Sequence, residues 1–168
     1  ADGVPALMIL NASVELASVN GTRDVTLEDF ITGNRETVRK RNEIVSSIKV
    51  PKTDLESSSV FRKLGVRKYL VISMTMIALK MSISRNGTIK RVALAVGACS
   101  AVAKRLFELE KVITGKTISE AIKIIDEEHL DILTPITDLR APATYRKTAS
   151  KILIQRSIAS FENRDEAE

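Results

Sequence analysis

Ser84-Arg85-Asn86-Gly87 separates two apolar runs, Tyr69 to Ile83 and Ile89 to Ala98, and the reading of that junction decides the fold. Asn-Gly between runs rich in long and β-branched residues is the strongest short hairpin signal, because the favoured two-residue turns need positive φ at both central positions. The first run is apolar on both alternating faces as far as Leu79, then polar at Lys80, Ser82 and Ser84. That pattern predicts a long strand, buried on both faces near its start and half-exposed toward the turn. A helix over Val71 to Lys80 is the competing reading of so short an apolar run, and the Asn-Gly pair weighs for strand.

Upstream of the hairpin lies Val60-Phe61-Arg62-Lys63-Leu64-Gly65-Val66-Arg67-Lys68, a basic segment broken by one glycine. Lys52 to Ser58 before it is polar and serine-rich, which predicts a boundary between two lobes. In the first lobe, Asp2 to Leu10 reads as a short helix with Pro5 in its first turn. Val14, Leu16 and Val19 alternate with polar neighbours as in a strand, Asn20-Gly21 marks a second hairpin returning through Thr22 to Thr26, and Thr26 caps a helical turn with acidic Asp29 three positions on. Gly33 to Asn42 reads as a basic loop, and Glu43 to Val50 as a strand ended by Pro51.

Downstream of the hairpin, Val102 to Phe107 is strand or loop, and Glu108 to Thr114 a short helix closed by Gly115. Thr117 and Glu120 form a capping box opening a helix to about His129. The last helix follows Asp138 to Arg146, with Tyr145, Ala149, Ile152, Leu153 and Phe161 as its apolar positions. The fold class is therefore α+β: residues 1–56 a first lobe, 57–162 a domain of a three-stranded antiparallel sheet packed on a small helical bundle, and 163–168 a disordered tail.

Of the 168 residues, 44% are hydrophobic, enough for a real core, and no charge-free apolar stretch reaches the roughly 18 to 20 residues of a membrane helix, so no membrane insertion is expected. The single cysteine, Cys99, excludes an internal disulfide and any multi-cysteine metal or iron–sulfur site, fits a cytoplasmic setting, and reads as a small core residue. The net charge of +5, concentrated in Arg35 to Arg41, Arg62 to Lys68 and the last helix, suggests an anionic partner or simply a solvated basic surface. With aromatics at 4%, a single-strand nucleic-acid binder is disfavoured. The chain has no glycine-rich dinucleotide fingerprint, no phosphate-binding loop, no zinc spacing and one histidine, His129, read as a positive group near a helix C-terminus. Asp126, Glu127 and Glu128 read as solvated. No self-contained catalytic site is visible, so any redox chemistry would belong to a bound cofactor. Ala1-Asp2-Gly3-Val4-Pro5, without a methionine, reads as interior sequence of a longer polypeptide.

Four segments in order carry a resemblance: Ala1-Asp2-Gly3-Val4-Pro5-Ala6-Leu7, Arg41 to Pro51 (Arg-Asn-Glu-Ile-Val-Ser-Ser-Ile-Lys-Val-Pro), Phe61-Arg62-Lys63-Leu64-Gly65-Val66-Arg67-Lys68, and Asp138-Leu139-Arg140-Ala141-Pro142-Ala143-Thr144-Tyr145-Arg146. Together they resemble the flavin-carrying medium subunit of the molybdenum hydroxylases, the family of xanthine dehydrogenase and aerobic carbon monoxide dehydrogenase. The resemblance implies the end of an FAD-binding domain's second lobe followed by the C-terminal domain of that subunit. It also implies a role: FAD receives electrons from the iron–sulfur clusters of a small subunit, which drain the molybdenum cofactor of a large subunit, and passes them to an acceptor such as NAD.

By the same resemblance Asp2 is an FAD contact, able to accept from ribose hydroxyls. Ile44 and Val45 line the flavin, Lys63 stands near the isoalloxazine edge that becomes negative on reduction, and Arg67 belongs to the same loop. The plain readings stand beside these: Lys63 and Arg67 as surface charges, Asp2 as a helix cap, Ile44 and Val45 as core strand residues. The family's Ala-Gly-Gly-Thr loop and the Gly-Gly-x-x-x-Asn portion before Asp2 are absent, so the chain alone, without the N-terminal half of its own subunit, is expected to bind FAD weakly or not at all. The alternative is a non-catalytic α+β interaction module with a basic docking surface; nucleic-acid binding is a third reading without a recognisable basic helix.

Overall fold

The computed structural model describes residues 2–52, 57–67 and 71–162. Most of the lobe boundary, Lys68-Tyr69-Leu70 and the tail beyond 162 lie outside them. The first lobe contains α1 (Gly3–Ile9), β1 (Ser13–Ser18), β2 (Gly21–Thr26), α2 (Leu27–Phe30), β3 (Ile31–Gly33), β4 (Glu36–Thr37) and β5 (Ile44–Lys49). Its main sheet is antiparallel in the order β2-β1-β5, and β3 and β4 form a small hairpin that starts just before the expected basic loop and takes up its first residues. Thr26 caps α2 as expected, its hydroxyl accepting from the Asp29 amide at 3.1 Å.

The second lobe contains β6 (Ser58–Leu64), β7 (Thr75–Ile83), β8 (Ile89–Gly97), β9 (Lys104–Arg105), α3 (Phe107–Ile113), α4 (Ile118–Ile124), a 3-10 turn (Glu127–Leu130) and α5 (Ala143–Ala159). The expected three antiparallel strands β6-β7-β8 are there, and β9 adds a short fourth. The β7–β8 hairpin holds, with a different turn. The Gly87 amide donates to Ser84 O (2.9 Å) and the Ser84 amide to Thr88 O (2.8 Å), and only Gly87, at φ 78°, has positive φ. This is a three-residue loop with a bulge at the left-handed glycine, so Asn86 has no need of the positive φ that a two-residue turn demands.

Two further differences concern β7. It begins at Thr75, since the Met74 amide donates to Leu64 O (2.8 Å) and closes the preceding loop there. Ser82 near the turn is buried rather than half-exposed, and the α3–α4 connection docks on the start of β8 through Ile89 N–H to Lys116 O and Gly115 N–H to Ile89 O, both 2.8 Å.

The two faces of this sheet differ in side-chain size, and that difference builds the molecule. Ile77, Leu79, Met81, Leu94 and Val96 face the helices and join Leu109, Ile113, Ile125, Leu130, Ile154 and Ile158 in the main core. Each such side chain, fully buried, stabilises the fold by about 1.5–3 kcal/mol. The opposite face carries Ala78, Ala93 and Ala95, which join Met8, Ile9, Val14 and Leu16 in a second core. Small residues let α1 of the first lobe lie directly on the second lobe's sheet. At its end a Cβ on Gly97 would come within 2.8 Å of Pro5 Cγ and 2.7 Å of Met76 Cγ. The lobes thus share α1.

The helices correct the sequence reading in two places. The helix from Thr117 has its capping box but stops at Ile124, and Asp126 caps a separate 3-10 turn. His129 Nδ1 lies 3.2 Å from the Asp126 amide, which donates to it, and Asp126 also accepts from Lys151 at 3.0 Å rather than being solvated alone. In α5 the buried face is Arg146, Ala149, Ser150, Ile154, Ser157 and Ile158, while Tyr145 and Ile152 point outward. Ser150 and Ser157 fit there because each hydroxyl donates to the carbonyl four residues back, Arg146 O and Leu153 O, both at 2.7 Å. Among the described residues no helix is long and apolar enough to cross a membrane.

Candidate functional site

Asp2 stands at the N-cap position of α1 but makes no capping hydrogen bond. Its backbone is helical (φ −64°, ψ −29°), whereas a capping side chain needs extended backbone to reach the first-turn amides. Its carboxylate turns to the second lobe instead. Lys63 Nζ, on β6, donates to Oδ2 at 2.6 Å, and Ser73 Oγ, just before β7, donates to Oδ1 at 3.4 Å. Lys63 and Ser73 flank the base of the β6–β7 loop, so one carboxylate ties both ends of that loop to α1. The Lys63 hydrogen bond is the main reason the Asp2 carboxyl sits below the usual carboxylate range; burial opposes it, and the charge of Lys63 and the Ser73 hydroxyl add to the lowering.

Asp2 and Ser73 line an open groove of about 1100 Å³ at the N-terminal end of α1. Val4, Met76, Val71 and Ile72 form one side, the β3–β4 hairpin with Asn34 and Arg35 a second, and the small-residue run from Gly97 to Ala103 the floor. Ala98 sits at φ 65°, a left-handed conformation uncommon for a residue with a side chain. Beneath the floor Arg146, 1% exposed, donates from Nη1 to Met74 O (2.8 Å) and from Nη2 to Asp138 Oδ1 (2.8 Å). Arg140 Nη2 takes the other Asp138 oxygen at 2.5 Å. Burial raises the Asp138 pKa, but the Arg140 amide, Arg146 and the Ala141 amide together hold it at about 2. Cys99 is fully buried, as expected, within 3.4 Å of Ser150 Oγ.

The five residues singled out from sequence therefore divide. Asp2 and Lys63 are in contact across 61 residues of chain. Arg67 is exposed beyond the end of β6 and is not among the groove-lining residues. Ile44 and Val45 are on β5, 68% and 46% exposed, which corrects the core-strand reading: β5 is the last strand of its sheet, with a partner on one side only among the described residues. Ser73 and Arg146 were missed. A serine has no distinguishing spacing, whereas the Asp138/Arg146 pair stood in the quoted Asp-x-Arg segment and was readable as an ion pair.

The donor set suits part of a flavin dinucleotide: a half-exposed carboxylate for hydroxyls, an ammonium beside it, and a groove with apolar walls. The chain's seven glycines are scattered, with no glycine-rich turn to cradle a pyrophosphate.

Comparison with known proteins agrees with this architecture. Residues 1–53 match the FAD binding domain in molybdopterin dehydrogenase, and residues 59–161 match the CO dehydrogenase flavoprotein C-terminal domain. The glyceraldehyde dehydrogenase medium chain of Sulfolobus acidocaldarius is 30% identical over 152 residues, which span 90% of this chain and 53% of that protein. Reconstituted CO dehydrogenase from Oligotropha carboxidovorans superposes with a TM-score of 0.83 at 24% identity, over 92% of this chain and 54% of that one. Quinoline 2-oxidoreductase from Pseudomonas putida 86 gives 0.81 at 24% identity, over 95% and 55%. The chain thus spans about half the length of these relatives. With its larger part covered by that second match and the segment before it by the first, the chain belongs to the CO dehydrogenase flavoprotein C-terminal domain family and carries ahead of it part of the FAD-binding domain of the molybdopterin dehydrogenases.

Proposed function

We propose that this chain is the C-terminal part of the flavoprotein subunit of a molybdenum hydroxylase. In the complete subunit Asp2 would hold hydroxyls of FAD, Lys63 would face the ring, and Arg67 and the Ile44–Val45 pair would border it. FAD, when bound, supplies two-electron redox chemistry; the Lys63 ammonium would favour the negative charge that reduction brings. Electrons would reach it from the iron–sulfur clusters of a small subunit serving a molybdenum-containing large subunit, and leave to an acceptor such as NAD. Residues 1–56 would belong to the FAD-binding domain and 57–162 to the C-terminal domain. The observation that carries this reading is the 2.6 Å contact between Asp2 and Lys63, two residues chosen from separate sequence segments for the same ligand.

The test is the reading frame upstream of Ala1 and the flavin content of the protein it encodes. An Ala-Gly-Gly-Thr loop in that frame, and bound FAD that Asp2→Asn or Lys63→Met weakens, are expected. A start codon immediately upstream, or flavin affinity indifferent to both substitutions, would refute the assignment. The 168 residues alone are expected to lose FAD on gel filtration.

A second reading, a non-catalytic module that docks an acidic partner, is favoured by one feature. A groove of about 560 Å³ beyond the C-terminal end of α1 is lined by Lys52, Lys80, Lys90, Arg91, Arg105 and Lys111. Its one lining carboxylate among the described residues, Glu110, is engaged by Arg105 at 2.7 and 3.1 Å and by the Leu94 amide at 2.7 Å.

A further inference from the structure

Ser73 is only 4% exposed, yet it lines the groove beside Asp2. Its hydroxyl donates to Asp2 Oδ1 at 3.4 Å, while Lys63 Nζ donates to the other oxygen at 2.6 Å. The backbone that carries this serine is pinned at the next residue from both sides. The Met74 amide donates to Leu64 O and Arg146 Nη1 donates to Met74 O, each at 2.8 Å. Arg146 is fixed in turn by Asp138 Oδ1, also at 2.8 Å. A short series of bonds therefore runs from the buried Asp138–Arg146 pair beneath the groove floor, through Met74, to the residue whose hydroxyl meets Asp2. Ser73 is thus set by the second lobe, and Asp2 adapts to it.

An ionised carboxylate offers about four acceptor directions, two on each oxygen. Lys63 uses one on Oδ2 and Ser73 one on Oδ1, which leaves one on each. The Asp2 side chain is 53% exposed and lines the groove, so a ligand hydroxyl can be accepted without displacing either partner. Held by Lys63 alone, the carboxylate could swing about that single contact, and ordering it would lower the affinity for whatever it receives. Two donors on different oxygens, one from β6 and one just ahead of β7, fix its plane before a ligand arrives.

We propose that Ser73 is a positioning residue of the flavin site, its hydroxyl orienting the Asp2 carboxylate so that one acceptor direction on each oxygen faces a hydroxyl of FAD. The inference rests on the flavin reading of this groove and assigns Ser73 no contact with FAD itself. Fluorescence titration of FAD into the complete subunit tests it with four proteins: the parent, Ser73→Ala, Asp2→Ala and the double variant. Ser73→Ala should weaken FAD binding by about 2- to 10-fold, the reach of one hydrogen bond. In the Asp2→Ala background the same change should have no further effect, because the hydroxyl then has no carboxylate to orient. A serine that merely supports the fold, or one that touches FAD directly, would weaken binding by the same factor with and without the Asp2 carboxylate, and that result would overturn the proposal. So would Asp2→Ala weakening FAD while Ser73→Ala leaves it unchanged; in both cases the flavin reading stands. A complete subunit that binds no FAD, or binds it indifferently to Asp2→Ala, would instead sink the flavin reading and this inference with it.

Discussion

Arg146→Met should lower stability by about 2–4 kcal/mol, because the guanidinium holds together three pieces of chain that no apolar side chain can join. Its two short hydrogen bonds, to Met74 O and Asp138 Oδ1 at 2.8 Å, are worth about 1.5–3 kcal/mol each as bonds from a charged donor. The two at 3.5 Å, to Ala98 O and Ala141 O, add little. Against this stands the cost of keeping a charge that is 1% exposed away from water, which methionine would not incur. The net loss converts to a fall in melting temperature of roughly 5 to 15 °C for a chain of this size. Urea unfolding followed by circular dichroism gives the free energy, and hydrogen exchange gives its location. Faster exchange should appear at Arg140 and Ala141, whose amides donate to Asp138 at 2.9 and 3.3 Å. A loss below about 1 kcal/mol would mean that burial of the charge cancels its bonds, and the turn under the groove would then owe its shape to something else.

Other expectations are simpler to state. Gly97→Val should destabilise by about 1–3 kcal/mol in urea titration, because a β-carbon there strikes Pro5 and Met76 and pushes α1 off the sheet. Glu43 accepts from Arg23 at 2.7 and 3.0 Å and from the Lys40 amide at 2.7 Å, and the Arg23 bonds above all hold its pKa at about 2. Its contribution to stability is therefore complete above its ordinary value of 4.5 and disappears as pH falls toward 2; the melting temperature should fall more steeply across that window than it does in Glu43→Gln. A double-mutant cycle on Asp2→Asn and Lys63→Met should give a coupling of only about 0.2–1 kcal/mol, since the pair is solvent-screened; a larger value would make it a fold element first and a site second.

Most of the architecture was readable from residue order because its causes are local. Alternation gave β1, the Asn-Gly junction between two apolar runs gave β7 and β8, Thr26 and Thr117 gave helix starts, and Gly115 gave a helix end. The misses have non-local causes. Arg146, Ser150 and Ser157 are inside only because carbonyls of their own helix and of distant loops accept from them. Ile44 and Val45 look like core by composition, yet among the described residues β5 has a sheet partner on one side only, and both are exposed.

The site shows the same division. A capping aspartate gains about 0.5–2 kcal/mol from a first-turn amide, and Asp2 forgoes that gain. The helical backbone at Asp2 keeps its carboxylate from the first-turn amides but does not by itself aim it at the other lobe. What turns it is an ammonium and a hydroxyl brought by the other lobe, and those arrive only because Ala78, Ala93, Ala95 and Gly97 let α1 settle against the sheet. The alanine face of β7 and β8 is thus the remote cause of the Asp2–Lys63 contact. A bulky residue on that face would separate the pair before it touched either side chain.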